Sequence, residues 1–198
     1  MIDTRIKAVT FDEDRHKYFY DGKELRGVTG VIGKLMGKSF PDTDVVKLAT
    51  MYGSDVHKEV EHYFNEHGFY FNDFALSTEG AEWVVETLKD FCSNVTSYIQ
   101  NVECEVMVSD FIATASKVDV VIRSRDNKAW LFDIKTTSKF DRPYCSLQLS
   151  VYKKLFEDCY GMKVEGLYVL ATKMRRTFKI IEQDVHKVQK ILDMNKEA

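Results

Sequence analysis

"KVDVVIRSRDNKAWLFDIKTT" (117–137) is the stretch on which the reading of this chain turns. Two runs rich in β-branched and aromatic residues flank Arg125-Asp126-Asn127, which is turn chemistry, so the stretch reads as an antiparallel hairpin. Side chains alternate along a strand, and loop length therefore decides which residues share a face. A two-residue loop pairs residue 119 with 134 and puts the two acids on opposite faces. A three- or five-residue loop centred on Asp126 pairs Asp119 with Asp133. That register gathers Trp130, Phe132 and Ile134 with Val118, Val120 and Ile122 on one apolar face. Asp119, Asp133 and Lys135 then cluster on the other.

A carboxylate and an ammonium on a strand that otherwise reads as buried are costly unless paired or used. Asp133-x-Lys135 alone is an ordinary same-face salt bridge. Asp119 at the matching register shifts the balance, because neighbouring carboxylates repel unless a cation lies between them. Few oxygen ligands, with positions left open for water and phosphate, describe a Mg2+ or Mn2+ site. Lys135 on the same face is placed to steer a water or to neutralise charge on a phosphate.

Working outward, the chain before the hairpin is mostly helical. "HKYFYDGKEL" (16–25) reads as two short strands joined at Asp21-Gly22. "GVTGVIGKLM" (27–36) opens a helix capped by Thr29, weakened by its glycines. "SDVHKEVEHYFNEHG" (54–68) is a helix capped by Ser54, with Val56, Val60, Tyr63 and Phe64 as its apolar stripe and Gly68 at its end. Residues 78–95 form a second amphipathic helix. Strands follow at 102–110, 117–124 and 129–136, then a helix at 143–161 with Pro143 in its first turn. Two more strands (166–172 and 177–181) and a helix at 184–194 close the chain. Helices first, then an antiparallel meander interrupted by one helix, predict an α/β or α+β fold with a mixed central sheet.

The composition narrows the rest. The 198 residues, two of them proline, hold 44% hydrophobic, 13% aromatic and 30% charged side chains, which suits one soluble domain without a linker. The start lacks an apolar signal region and no run approaches a membrane span, so a cytoplasmic setting without membrane contact is expected. Cys92, Cys104, Cys145 and Cys159 show no C-x-x-C pair, which argues against zinc and iron–sulfur clusters and for core thiols. A formal net charge of −3 means that any polyanionic substrate needs a local basic surface or bound cations. "TKMRRTFK" (172–179), Lys135, Lys139 and Arg142 are the candidates, a solvated face being the plain alternative for 172–179. His57 and Glu61, and Gln148 and Tyr152, are two polar pairs four apart, each ordinary taken alone.

The order of these pieces is informative. "GSDVHKEVEHYF" (53–64), "SKVDVVI" (116–122), "FDIKTT" (132–137) and "QLSVY" (148–152) resemble, in that order, the RecB-type branch of the PD-(D/E)XK nuclease superfamily. "VTGVIGKLM" (28–36) is similar to the lead-in of phage and bacterial exonucleases of this kind. The resemblance implies a restriction-endonuclease-like core over 53–155, with 1–52 as hairpin and helical lead-in of one domain. It implies a Mg2+- or Mn2+-dependent phosphodiesterase acting on DNA, an exonuclease of recombination or repair. An endonuclease of the same fold, cutting internally or at branched DNA, and a non-catalytic binding module remain alternatives. Carried over by position, it makes His57, Asp119, Asp133 and the Ile134 carbonyl metal ligands and Lys135 the catalytic lysine. Gln148 and Tyr152 become site supports or nucleic-acid contacts, while Glu61 and Glu105 bind a second ion or position the ligands. A recombinase, a single-strand annealing protein, a helicase motor or further copies of the chain are the partners it suggests. Two departures stand out: Ser116 replaces the family glycine three residues before the strand acid, and the cysteines are misplaced for the iron–sulfur subset.

Overall fold

The computed structural model describes residues 2–37, 44–67, 75–95 and 98–196. After a 3-10 turn at Thr4–Ala8, the chain forms β1 (Thr10–Asp12), β2 (Lys17–Tyr20) and β3 (Lys23–Gly27). Three helices follow, α1 (Val28–Leu35), α2 (Asp44–His67) and α3 (Glu79–Asn94), then β4 (Ile99–Ser109), β5 (Thr114–Ser124) and β6 (Lys128–Lys135). The chain closes with α4 (Arg142–Tyr160), β7 (Lys163–Ala171), β8 (Arg176–Lys179) and α5 (Val185–Lys196).

The eight strands make one mixed sheet in the order β1-β2-β3-β5-β6-β7-β8, with β4 paired to β5. The β5–β6 loop is the three residues 125–127, and Val120↔Phe132, Val121↔Leu131 and Ile122↔Trp130 are partners. This is the register centred on Asp126. Asn127 takes a positive φ of 61°, a left-handed turn position that asparagine tolerates. Asp21 and Gly22, both at positive φ, turn the β2–β3 hairpin as expected. The expected meander fails at β6, which pairs β7 in parallel, Ile134 lying opposite Leu170. The α4 crossover makes this possible, since parallel neighbours need a long connection.

Helices cover both faces. Beneath one, α1, α4 and α5 bury Val28, Ile32, Leu149, Leu155, Phe156 and Ile191 against Val121, Leu131 and Val169. Beneath the other, α2 and α3 bury Val56, Val60, Val84 and Leu88 against Val120, Ile122, Phe132 and Ile134. A smaller cluster ties the N-terminal hairpin to the sheet through Tyr18, Leu25, Ala115 and Cys159. The cysteines are spread over these clusters: Cys92 of α3 and Cys104 of β4 in the one beneath α2 and α3, Cys145 of α4 in the one on the other face, and Cys159 of α4 beneath the hairpin. Among the described residues no helix is long and apolar enough to cross a membrane.

Helix ends depart from the sequence reading in two places. Gly27, still extended at φ −67° and ψ 136°, is the N-cap of α1 and lends no side chain, so Thr29 lies inside the first turn. The α2 helix begins at Asp44, so Ser54 is interior rather than a cap. Its first turns carry Leu48 and Met51 to solvent, and no stripe betrays them in the sequence. Gly68 falls outside the described residues. Thr78 and Asp141, which the sequence reading did not single out, cap α3 and α4 and accept from the amides of Ala81 and Tyr144.

Candidate active site

The β5 strand supplies the frame. One of its edges is paired with β4 along most of its length. The other is shared: β3 pairs at Thr114 and Ala115, and β6 at Val120 to Arg123. Residues 116–119 therefore face a gap where β3 has ended and β6 has not begun. Even toward β4 the ladder lapses there, since Cys104 pairs Val120 and Val106 pairs Val118 with Glu105 and Asp119 between them unpaired.

Side-chain alternation breaks at the same point. Val120 and Cys104 pack toward α2 and α3, while Val118 and Val106, two residues away, pack toward α4. Val118 therefore does not share a face with Val120 and Ile122, a correction to the simple period-two reading. Both strands turn over at this level, and Glu105 takes a φ of 53°. It is the one positive-φ residue inside a strand among the described residues, and such strain concentrates at functional positions. Freed from the ladder, the Asp119 carboxylate enters the gap and accepts the Ile134 amide at 2.7 Å. It thereby satisfies a β6 donor that lacks a strand partner on that side.

Three residues converge here from three elements. His57 Nδ1 of α2 lies 3.8 Å from Glu105 Oε1 and 3.9 Å from Asp119 Oδ2. A ligand atom from each falls within 4.8 Å of the other two, so the trio can hold a cation. One imidazole and two carboxylates suit a hard or borderline divalent ion. Lys117 also reaches Glu105, at 3.5 Å, and its ammonium lies over the Phe11 ring.

Asp133 occupies the α4 side. It is 1% exposed, and its Oδ1 accepts from Lys135 Nζ at 2.9 Å and Gln148 Nε2 at 3.1 Å. Its Oδ2 lies 2.8 Å from the same ammonium but accepts no aligned hydrogen bond. That oxygen faces the Lys135 ammonium, and the carboxylate lines the same cleft as the trio. Gln148 Nε2 also donates to Tyr152 Oη at 3.0 Å, and Ser116 Oγ donates to the same oxygen at 3.1 Å. Ser116, where a glycine was expected, is thus absorbed into the wall.

The electrostatics follow from this crowding. Burial would lower the His57 pKa, but the Asp119 and Glu105 carboxylates outweigh it and raise it to about 9. Burial lifts Asp119 to about 6, with His57 opposing and Asp133 reinforcing the rise. Burial would also raise Glu105, yet His57 and Lys117 hold it below the usual value. Lys135 is held well above its ordinary range, since Asp133 and Asp119 overcome its burial. Glu61, one turn beyond His57, is raised by burial and by Glu105.

All of these groups open on one cleft of about 530 Å3, which Ile134, Gln148 and Tyr152 also line. Lys139 and Arg142 do not line it. Lys139 is exposed on the loop after β6, and the Arg142 guanidinium stacks on Phe178 at 4.8 Å. The basic run 172–179 also goes elsewhere, with Lys173 over Tyr52 and Arg175 paired to Glu79. Lys117, Lys58, Glu13 and Tyr18 line the cleft and carried no motif of their own. Only the alternation of 117–122 hinted that Lys117 faces the site of its neighbours.

No protein-family model and no curated protein sequence matches the chain. Among solved structures it is similar to a "Putative exonuclease" from Eubacterium rectale, at 13% identity and TM-score 0.39, over 87% of this chain and 77% of that one. It is also similar to the protein SSO0001, at 14% identity and TM-score 0.34, over 85% and 82% of the two chains.

Proposed function

We propose that this chain hydrolyses phosphodiester bonds in DNA with Mg2+ or Mn2+, working from strand ends. The observation that carries the reading is the meeting, at the unpaired level of β5, of the His57–Glu105–Asp119 trio with the buried Asp133–Lys135 pair. A surface salt bridge explains neither half, because Asp133 is buried and four more carboxylates share its cleft. The end-directed activity rests on the motif order alone.

His57, Glu105 and Asp119 would hold the ion, with Asp133 Oδ2 and the Ile134 carbonyl beside it. The order of importance changes in this reading, since Glu105 stands with the ligands and Glu61 behind them. A bound divalent ion would polarise the phosphoryl group and acidify water. The protein's own part is positioning and charge. Lys135 stays protonated, so it acts as a fixed cation toward the charge that builds on the phosphorus oxygens and not as a base. Asp133 and Gln148 fix the ammonium, and Tyr152 with Ser116 fixes Gln148. No covalent intermediate is required.

The test is degradation of linear and circular DNA, single- and double-stranded, with Mg2+, Mn2+ or EDTA, beside folded Lys135→Ala. Metal-dependent loss of linear DNA only, absent in the variant, is expected. Cutting of circles would replace the exonuclease by an endonuclease. A wild type that cuts nothing, or a variant that cuts equally well, would sink the assignment.

A further inference from the structure

The cleft around Asp119 is a poor place to seize a polyanion, since Glu13, Glu61 and Glu105 line it along with Asp119 and Asp133. Round its rim, a second groove of about 690 Å3 opens between the β2–β3 hairpin, α1 and α5, and His16 lines both. Its charge is opposite. Arg15, Lys17, Arg26 and Lys34 line it against the single carboxylate of Glu24. Lys17 is paired with Glu24 at 2.7 Å and Arg15 lies 3.8 Å from Asp12. Arg26 and Lys34 are exposed and have no side-chain partner among the described residues.

Between the cations the groove is apolar, with Leu25, Val31 and Ile191 beneath and Leu35 and Met194 at 46% and 45% exposure. The α1 helix adds Gly30. Glycine weakens a helix relative to alanine, yet a Cβ at Gly30 would meet no atom within 4 Å. Packing within the chain does not call for the glycine. Among the described residues, what it does is leave the α1 face bare beside two unpaired cations.

We propose that this groove holds unpaired nucleotides of a DNA strand whose neighbouring phosphate lies in the cleft, an inference that rests on the nuclease reading above. Cations flanking an apolar floor suit a single strand, which can lay bases on the floor and phosphates on Arg26 and Lys34. A duplex keeps its bases stacked inside and offers such a floor nothing. The mildly acidic chain thus captures its substrate beside the acidic cleft, and the strand enters that cleft unpaired.

The experiment is fluorescence anisotropy of labelled single-stranded and duplex oligodeoxynucleotides over a salt series, in EDTA so that nothing is cut. Arg26→Glu/Lys34→Glu and Gly30→Leu are compared with wild type. Lys128→Glu/Lys163→Glu, at the far end of β6 and β7, is the control of equal net charge. The groove double variant is expected to bind single strands on the order of tenfold more weakly and to flatten the log–log salt slope by about 1.4, roughly 0.7 per lost phosphate contact. Gly30→Leu should weaken binding with no fall in Tm, and the control should bind as wild type. Equal binding by the groove variants and the control, or duplex bound as tightly as single strand, overturns the inference. If the wild type still cuts DNA with Mg2+ in that case, the nuclease reading survives; a wild type that neither binds nor cuts removes both.

Discussion

The two ends of the β5–β6 hairpin are built from similar residues and behave in opposite ways. At the turn end, the strands are laddered from Val120–Phe132 to Arg123–Ala129, and Ser124 Oγ accepts the Lys128 amide and donates to its carbonyl. Charged groups there sit outside: Asp126 pairs with Lys128 in solvent, both roughly half exposed. At the other end the ladder stops, and Asp119, Asp133 and Lys135 are turned inward. Inside a closed ladder the strands satisfy one another's backbone. A parted one exposes donors, and an acid that fills the gap is brought among other acids. The difference shows that the site is a property of where pairing ends, and not of the acids alone.

The largest expected effect lies in the closed half. Phe132 is fully buried, stacked on Tyr168 and edge-on to Phe91. Phe132→Ala should lower unfolding free energy by about 3–5 kcal/mol, measured by urea denaturation. A change below about 1 kcal/mol would mean that the closed half does not hold the hairpin.

In the open half the effect should fall on activity instead. Asp119→Asn keeps an acceptor for the Ile134 amide but removes a charge. It should fold as wild type by circular dichroism and lose about 10²–10³-fold in kcat for DNA cleavage. Retained activity would show that the carboxylate is only a strand cap.

The pH response separates the halves again. Without metal, His57 carries a pKa of about 9, above its unfolded value. Its stabilising contribution is complete below pH about 6.5 and is lost as pH rises to about 9. Asp119, raised to about 6, loses its own contribution lower, between about pH 4 and 6. In EDTA, Tm should therefore fall between pH 6.5 and 9. The upward shift produced by Mg2+ or Mn2+ should grow over the same window, because the ion displaces the His57 proton. A metal-induced shift independent of pH would place the ion away from His57.

The smallest effect concerns how α2 meets β6. A Cβ at Gly53 would lie 2.9 Å from Thr136 Oγ1. Gly53→Ala should push the helix bearing His57 from the strand bearing Lys135 and reduce kcat by up to about tenfold. Thr136→Ala in the same chain should restore much of it. Failure of that rescue would show that the contact does not set the spacing.

Much of this was legible in the residues. Turn chemistry at Arg125–Asn127 and the position of Asp126 yielded the register that brings 119 and 133 together, because one register alone gives both strands an apolar face. The Asp21-Gly22 turn was equally plain. Three things were not. The parallel pairing of β6 with β7 leaves no mark in alternation, which is the same for either direction. The early start of α2 hid behind exposed Leu48 and Met51. The prominence of Glu105 depends on a backbone turnover at φ 53°, and in "VECEVMV" it looks like any outward residue of a strand. For the same reason period-two alternation puts Val118 on the wrong face, and Lys139 and Arg142 are near the site in sequence only, because the loop they flank follows Lys135.

The most direct measurement is calorimetric titration of Mn2+ into the wild type, Asp119→Asn and Asp126→Asn, the last being the acid of the closed end. Saturable binding by the wild type and by Asp126→Asn, lost or weakened at least about tenfold in Asp119→Asn, is the result expected. Equal binding by all three, or none by the wild type, would contradict a metal site at the parted end of the hairpin.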